Sequence, residues 1–150
     1  SLPNVFVTRT FSKTWGIPSL RLGYIITAKP NVSAIGCVRG PYDLNMCSVV
    51  AIRAALKEPQ YVYDFVDELV HQSRPAFEAF LQRKGIGYWP SASNYLFIYV
   101  DQPAAMELKL RERGILVRPK KDDKGVTGLR ISLGTMKQTQ RLIDTLDRLL

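Results

Sequence analysis

Two cysteines, Cys37 and Cys47, and a single histidine, His71, are all that the 150 residues offer a metal or a disulfide. They lack metal-ligand spacing, so the expectation is two inert, half-buried thiols in a reducing cytoplasm ahead of a disulfide or a zinc site. His71 reads as a solvated or helix-packed side chain without catalytic duty. Long apolar runs are missing too: the longest, residues 22–28, is strand-sized and well short of the ~18 residues of a membrane span, which excludes a spanning helix. Residues 1–7 show neither a basic leader nor a small-residue cleavage site, and they read as the middle of a domain, not a signal peptide. Acidic residues are scarce, 13 against 21 Lys and Arg, leaving a net charge of +8. The basic residues are scattered and nucleic-acid docking motifs are absent, so the excess suits anionic small molecules better than nucleic acid.

What is present is a composition of 46% hydrophobic and 23% charged residues, enough for a packed core. Residues 4–10 are β-branched and aromatic, and after an interruption holding Lys13, Gly16 and Pro18 the run 20–27 predicts a second strand. Pro30 opens a short helix to about residue 38, Gly40 and Pro41 break it, and a helix over 44–57 ends at Pro59. Val62, Phe65, Val66, Leu69, Val70, Phe77, Phe80 and Leu81 recur at helical spacing, which predicts one long amphipathic helix over 60–84, bent at Pro75 and capped by Gly85. Strands over 87–89 and 94–100 follow, then a helix from Pro103 to Gly114, strands over 115–118 and 129–133 around a solvated loop 119–128, and a last helix over 137–150. The expected class is α/β, with a domain boundary inside the long helix that divides 1–72 from 73–150.

Chemistry concentrates where a turn-rich segment joins two strands. Lys13 follows a strand directly, a place where an amine can be held against one face of a carbonyl cofactor as a nucleophile. Arg21 returns across the turn toward Ser12, and a guanidinium beside a hydroxyl suits a phosphate dianion. A lone lysine or arginine is ordinarily a solvated surface charge. Their joint spacing argues for one shared ligand.

Three stretches carry a family resemblance. Thr10, Phe11, Ser12 and Lys13, with Gly16 and the run Leu20, Arg21, Leu22, Gly23, Tyr24, form the first. The second is Arg39, Gly40, Pro41, Tyr42, Asp43, Leu44, Asn45. The third joins residues 114–118, ending in Arg118, to residues 128–135, which contain Arg130. In this order the sequence resembles the fold-type-I, pyridoxal-phosphate-dependent aminotransferases of class I/II, most closely the histidinol-phosphate aminotransferase group. Asp43 and Leu44 depart from the asparagine and valine usual in the second stretch.

The resemblance implies a fold made of the end of the large cofactor domain, 1–72, and the small carboxy-terminal α/β domain, 73–150. It implies Lys13 as the lysine that joins pyridoxal 5'-phosphate, with Ser12 and Arg21 as phosphate ligands. Arg130 is implied to bind the substrate carboxylate, Arg118 a substrate phosphate, and Asn94 a further part of the substrate. Small amino and oxo acids, phosphorylated ones among them, are the implied partners, with no metal, membrane or nucleic acid. The family's remaining cofactor ligands would precede Lys13, so about half of a homodimeric enzyme is expected outside this carboxy-terminal piece, which alone would be inactive. Trp15 departs from the small or Phe-like residue expected at its position and would narrow substrate choice if it faced the pocket. Three rival readings stand beside this one: a threonine-phosphate decarboxylase-like enzyme, a non-catalytic interaction domain, and nucleic-acid binding through the net charge of +8, which predicts steep salt dependence.

Overall fold

The computed structural model describes residues 2–150, which form two compact units divided between Val62 and Tyr63. That division falls inside a helix and ahead of the 72/73 boundary expected from sequence. No helix among the described residues is long and apolar enough to cross a membrane.

The first unit opens with an antiparallel pair, β1 (Val7–Thr10) and β2 (Gly23–Ile26), joined by a loop with a short 3-10 turn at Pro18–Leu20. Helices α1 (Lys29–Gly36) and α2 (Met46–Ala55) follow, α1 opened by Pro30 in its first turn and α2 capped by Asn45, whose side chain accepts the Cys47 N–H at 2.8 Å. A two-stranded sheet has little to bury itself against. Accordingly every residue of β1 and β2 is exposed, Ile25 and Ile26 among them, while Phe11, Ile52 and Val62 are buried. Cys37 and Cys47 are free and exposed, which corrects the expectation of half-buried thiols: α1 buries no residue and Cys47 sits in the exposed first turn of α2.

The expected helix over 60–84 is continuous, running as α3 (Gln60–Glu68), a π turn at Leu69–Ser73 and α4 (Arg74–Arg83), with Glu68, Ser73 and Arg74 all in right-handed helical backbone. Pro75 stands in the first turn of α4, where it has no N–H to give the carbonyl one turn back. The π turn lies directly ahead of the proline, where the widened spacing accommodates its missing N–H. Gly85, at φ 66°, ends α4 in the left-handed region, as its position after the helix predicts.

In the second unit, β3 (Tyr88–Trp89), β4 (Tyr95–Ile98), β5 (Arg118–Lys121) and β6 (Thr127–Ser132) form an antiparallel sheet in the order β3-β4-β6-β5. Helix α5 (Pro103–Arg111) joins β4 to β5, and α6 (Met136–Asp147) closes the chain. Strand alternation sends Leu96, Ile98, Leu129 and Ile131 to one face, where they are buried with Phe77, Phe80 and Leu81 of α4, Leu110 of α5 and Leu146 of α6. At about 1.5–3 kcal/mol per fully buried large apolar side chain, this layer dominates the unit's stability. Helix α6 begins in a reciprocal cap, Thr135 Oγ1 accepting the Gln138 N–H while the Gln138 side chain accepts the Thr135 N–H; Glu68 takes the Met136 N–H at 2.7 Å.

One strand differs from expectation. Residues 115–117 are not in a strand, and β5 runs through Pro119 into the stretch read as loop. As the outer strand, β5 pairs only with β6, and an edge tolerates a residue without an N–H.

Candidate functional site

In the first unit, the β1–β2 register ends at Thr10 opposite Gly23. Gly23 is required there, because an added Cβ would lie 2.6 Å from the Arg9 carbonyl oxygen. The Phe11 N–H donates to the Leu22 carbonyl at 3.2 Å, but the Phe11 carbonyl accepts the Ile17 N–H at 3.4 Å and the Arg21 N–H turns back to the Pro18 carbonyl at 3.3 Å, so the ladder stops short of Ser12 and Arg21, which both lie in the loop. Phe11 is buried, its ring 5.5 Å from Trp15 and 5.9 Å from Tyr24, and this anchor leaves Ser12 half-buried and Lys13 exposed. Thr10 Oγ1 accepts the Ser12 N–H at 3.0 Å, and the Gly16 N–H donates to the Lys13 carbonyl at 2.9 Å, closing a tight turn with Gly16 at φ 68°.

Arg21 has a left-handed backbone, φ 51° and ψ 39°, a conformation that costs a side-chain-bearing residue about 1–2 kcal/mol and that gathers at functional sites. Its Nη1 donates to the Pro18 carbonyl at 3.0 Å, and Ser48 Oγ donates to the Leu20 carbonyl at 2.7 Å, tying the turn to α2. The Lys13 amine and the Ser12 hydroxyl have no hydrogen-bond or ion-pair partner among the described residues. Trp15 packs against Phe11 and, edge-on, against Tyr61. In the second motif Asp43 takes both its carboxylate oxygens to Arg39, at 2.7 and 2.9 Å. The hydrogen bond from Arg39 holds the Asp43 carboxyl below the usual carboxylate range, and the same bond raises Arg39.

In the second unit the structure brings two predicted residues face to face. Arg118 of β5 is the direct cross-strand partner of Arg130 of β6, and Arg130 is in turn opposite Phe97 of β4. The Arg130 guanidinium lies 5.4 Å from the centroid of the Tyr95 ring, a cation–π contact that fixes its direction. Like charges directly opposite across strands are unfavourable unless something answers them. Among the described residues no carboxylate pairs with either guanidinium. Such an arrangement suits a dianion or two anionic groups of one ligand. Asn94 is not part of this pair: it stands just ahead of β4, its carbonyl accepting the Leu133 N–H at 2.9 Å and its Oδ1 the Ser93 hydroxyl at 3.3 Å.

Sequence reasoning missed the side chains that hold this face. Tyr99 Oη accepts from Trp89 Nε1 at 2.6 Å and donates to Asp122 Oδ2 at 2.7 Å. The other Asp122 oxygen accepts the N–H groups of Lys124, at 2.9 Å, and Val126, at 2.8 Å. The Tyr99 hydrogen bond holds the Asp122 carboxyl below its ordinary range, and the hydrogen bond to Asp122, with burial, raises the phenol. The available signal was the alternation of Tyr95, Phe97 and Tyr99, which puts all three on the face of Arg130.

A model of the family "Aminotransferase class I and II" matches residues 1–146. Histidinol-phosphate aminotransferase 2 of Hydrogenovibrio crunogenus is 34% identical over 99% of this chain, which spans 40% of that protein. The curated relatives are thus matched over about two fifths of their length. Among solved structures, histidinol-phosphate aminotransferase from Sinorhizobium meliloti in complex with pyridoxal-5'-phosphate superposes with a TM-score of 0.73 at 24% identity, over 99% of this chain and 42% of that one. The L-threonine-O-3-phosphate decarboxylase of Porphyromonas gingivalis does so with a TM-score of 0.76 at 22% identity, over 98% and 47%. At these identities the likeness is one of fold, and it is the α/β fold expected from the sequence.

Proposed function

Because this chain belongs to the class I and II aminotransferase family, we propose that it supplies the lysine-bearing, carboxy-terminal share of a pyridoxal 5'-phosphate-dependent aminotransferase. The enzyme moves an amino group from a phosphate-bearing donor of the histidinol phosphate kind to 2-oxoglutarate or another oxo acid. The observation that carries this reading is the cross-strand pairing of Arg118 with Arg130, two guanidiniums unanswered by any carboxylate among the described residues.

The donor set of the β1–β2 loop fits the cofactor. The unengaged Lys13 amine suits its aldehyde carbon, and the Ser12 hydroxyl with the Arg21 guanidinium suits its phosphate dianion. Bound there, pyridoxal phosphate supplies an electron sink for negative charge at the substrate α-carbon. Lys13 would hold the cofactor between turnovers and, when its amine is free, would carry a proton to and from the substrate α-carbon as general acid and base. Arg130 orients the carboxylate of the oxo acid, Arg118 receives the donor's phosphate, and Asn94 adds a polar contact to the substrate.

The family's partner for the pyridine nitrogen, its ring-stacking aromatic and its glycine-rich phosphate turn belong to the remaining length of the protein. The isolated chain therefore does not transaminate. The complete protein is a cytoplasmic homodimer acting on small molecules, and its domains divide this chain into 1–72 and 73–150.

The test is the visible absorption spectrum of the complete protein with pyridoxal phosphate, wild type against Lys13→Ala. A band present in wild type and lost in the variant supports the reading. Without a lysine-dependent band the enzyme reading fails and a non-catalytic interaction domain takes its place. A second reading, favoured by the fold likeness to the threonine-phosphate decarboxylase, is decarboxylation on the same residues; carbon dioxide release from threonine phosphate would replace amino transfer by it.

A further inference from the structure

We propose that Tyr99 and Asp122 are positioning residues for Arg118, forming a clasp that holds the outer strand of the sheet against the repulsion of its own cations. The inference rests on the reading that Arg118 receives an anionic group of the substrate. Strand β5 carries Arg118, Lys120 and Lys121, hydrogen-bonds to β6 alone, and sets Arg118 opposite Arg130. An edge strand with like charges across its only ladder tends to fray, and fraying would carry Arg118 away from Arg130.

Contacts of Asp122, beyond the last pair of that ladder, oppose this. Asp122 follows β5 directly and closes the β5–β6 turn on itself, its N–H donating to the Val126 carbonyl at 2.9 Å and its Oδ1 receiving the Lys124 and Val126 N–H groups. Tyr99 follows β4 directly, and β6 lies between β4 and β5. The Tyr99–Asp122 hydrogen bond therefore crosses over β6 and ties the far strand to the centre of the sheet.

Gly128 makes the crossing possible. The β4–β6 register, carried one pair past Ile98 and Leu129, sets Gly128 opposite Tyr99, and the Phe97 ring occupies the space a side chain there would need. Trp89, donating to the same phenol oxygen, fixes the ring from the other edge strand. Nothing in the clasp touches Arg118 itself, so its effect is on where β5 lies.

The experiment compares Tyr99→Phe, Arg118→Ala and the double variant in the complete, cofactor-loaded protein, with histidinol phosphate as donor. Tyr99→Phe is expected to raise KM about three- to tenfold, the worth of one hydrogen bond, with kcat and the cofactor absorption band unchanged. The double variant is expected to be no worse than Arg118→Ala alone, because residues acting through one group are not additive. Additive effects in the double variant, or a Tyr99→Phe enzyme with wild-type KM, would overturn the inference while leaving the function of Arg118 standing. An Arg118→Ala enzyme with wild-type KM would instead sink the assignment of Arg118, and the clasp with it. Should Tyr99→Phe not fold, Asp122→Asn serves with the same expected KM rise and the same refuting results.

Discussion

Gly128→Ala is expected to destabilise the second unit by about 3 kcal/mol, the upper end of the overpacking range. The added Cβ would lie 2.5 Å from the Ile98 carbonyl oxygen and 2.6 and 2.7 Å from two atoms of the Phe97 ring. A relaxed carbon–oxygen contact is about 3.3 Å, so β6 and β4 must separate by roughly 0.8 Å or the ring must leave. Neither is easy. The carbonyl belongs to the β4 backbone beside β6, and the ring is braced edge-on by Trp89 and by Tyr99, 6.2 and 5.3 Å between centroids. In a unit of this size each kcal/mol moves the midpoint by about 4–8 °C, so a fall of roughly 12–24 °C is expected in thermal unfolding followed by circular dichroism. Gly87→Ala is the control: its Cβ would meet the Tyr99 ring at an ordinary 3.5 Å. That variant should melt within about 3 °C of wild type. If Gly128→Ala melted there too, the close approach of β4 and β6 would be refuted, and with it the account of how Tyr99 reaches Asp122.

Phe80→Ala removes a side chain that is 1% exposed and stacked on Phe77 at 6.2 Å; a loss of about 3–5 kcal/mol is expected in urea unfolding. The clasp also predicts a pH dependence. Asp122 is held below its unfolded value chiefly by Tyr99, with help from the Val126 and Lys124 N–H groups and the Lys124 charge, and Tyr99 is held above its own by Asp122. The carboxylate's contribution is therefore complete above its unfolded pKa and disappears as pH falls through the lower folded one; the phenol's is lost only in strong alkali. The gap in melting temperature between wild type and Asp122→Asn should be open near neutrality and close in acid below the ordinary carboxylate range. A gap that persisted there would show that the bond is not what holds the turn.

Most element types and their order were legible in the sequence because they depend on local chemistry. Pro30 and Pro103 open helices, Gly85 ends one, and the alternation from Leu129 to Leu133 marks a strand with one buried face. The misses share a cause. The π turn at Leu69–Ser73 was not legible, since periodicity counts apolar residues and does not register which carbonyl a proline leaves unpaired. Strand β5 lay later than expected because Arg118, Pro119, Lys120 and Lys121 have a loop's composition and become a strand only by pairing with β6. Cys37 and Cys47 were placed half-buried on residue type alone, whereas exposure depends on what packs over a helix.

By itself the sequence determined the chemistry available: an amine beside a hydroxyl and a guanidinium in one loop, two further arginines, and no metal-ligand spacing. Ser12 and Arg21 are near neighbours in the chain, so both fall in the one loop between β1 and β2 whatever surrounds it. Arg118 and Arg130 are separated by a turn whose length and register no local rule fixes. Only the sheet sets them opposite each other, with Arg130 over the ring of Tyr95 and β5 tied by the Tyr99–Asp122 bond, because a strand's register is chosen by the face it must bury and by the contacts that reach across its neighbours.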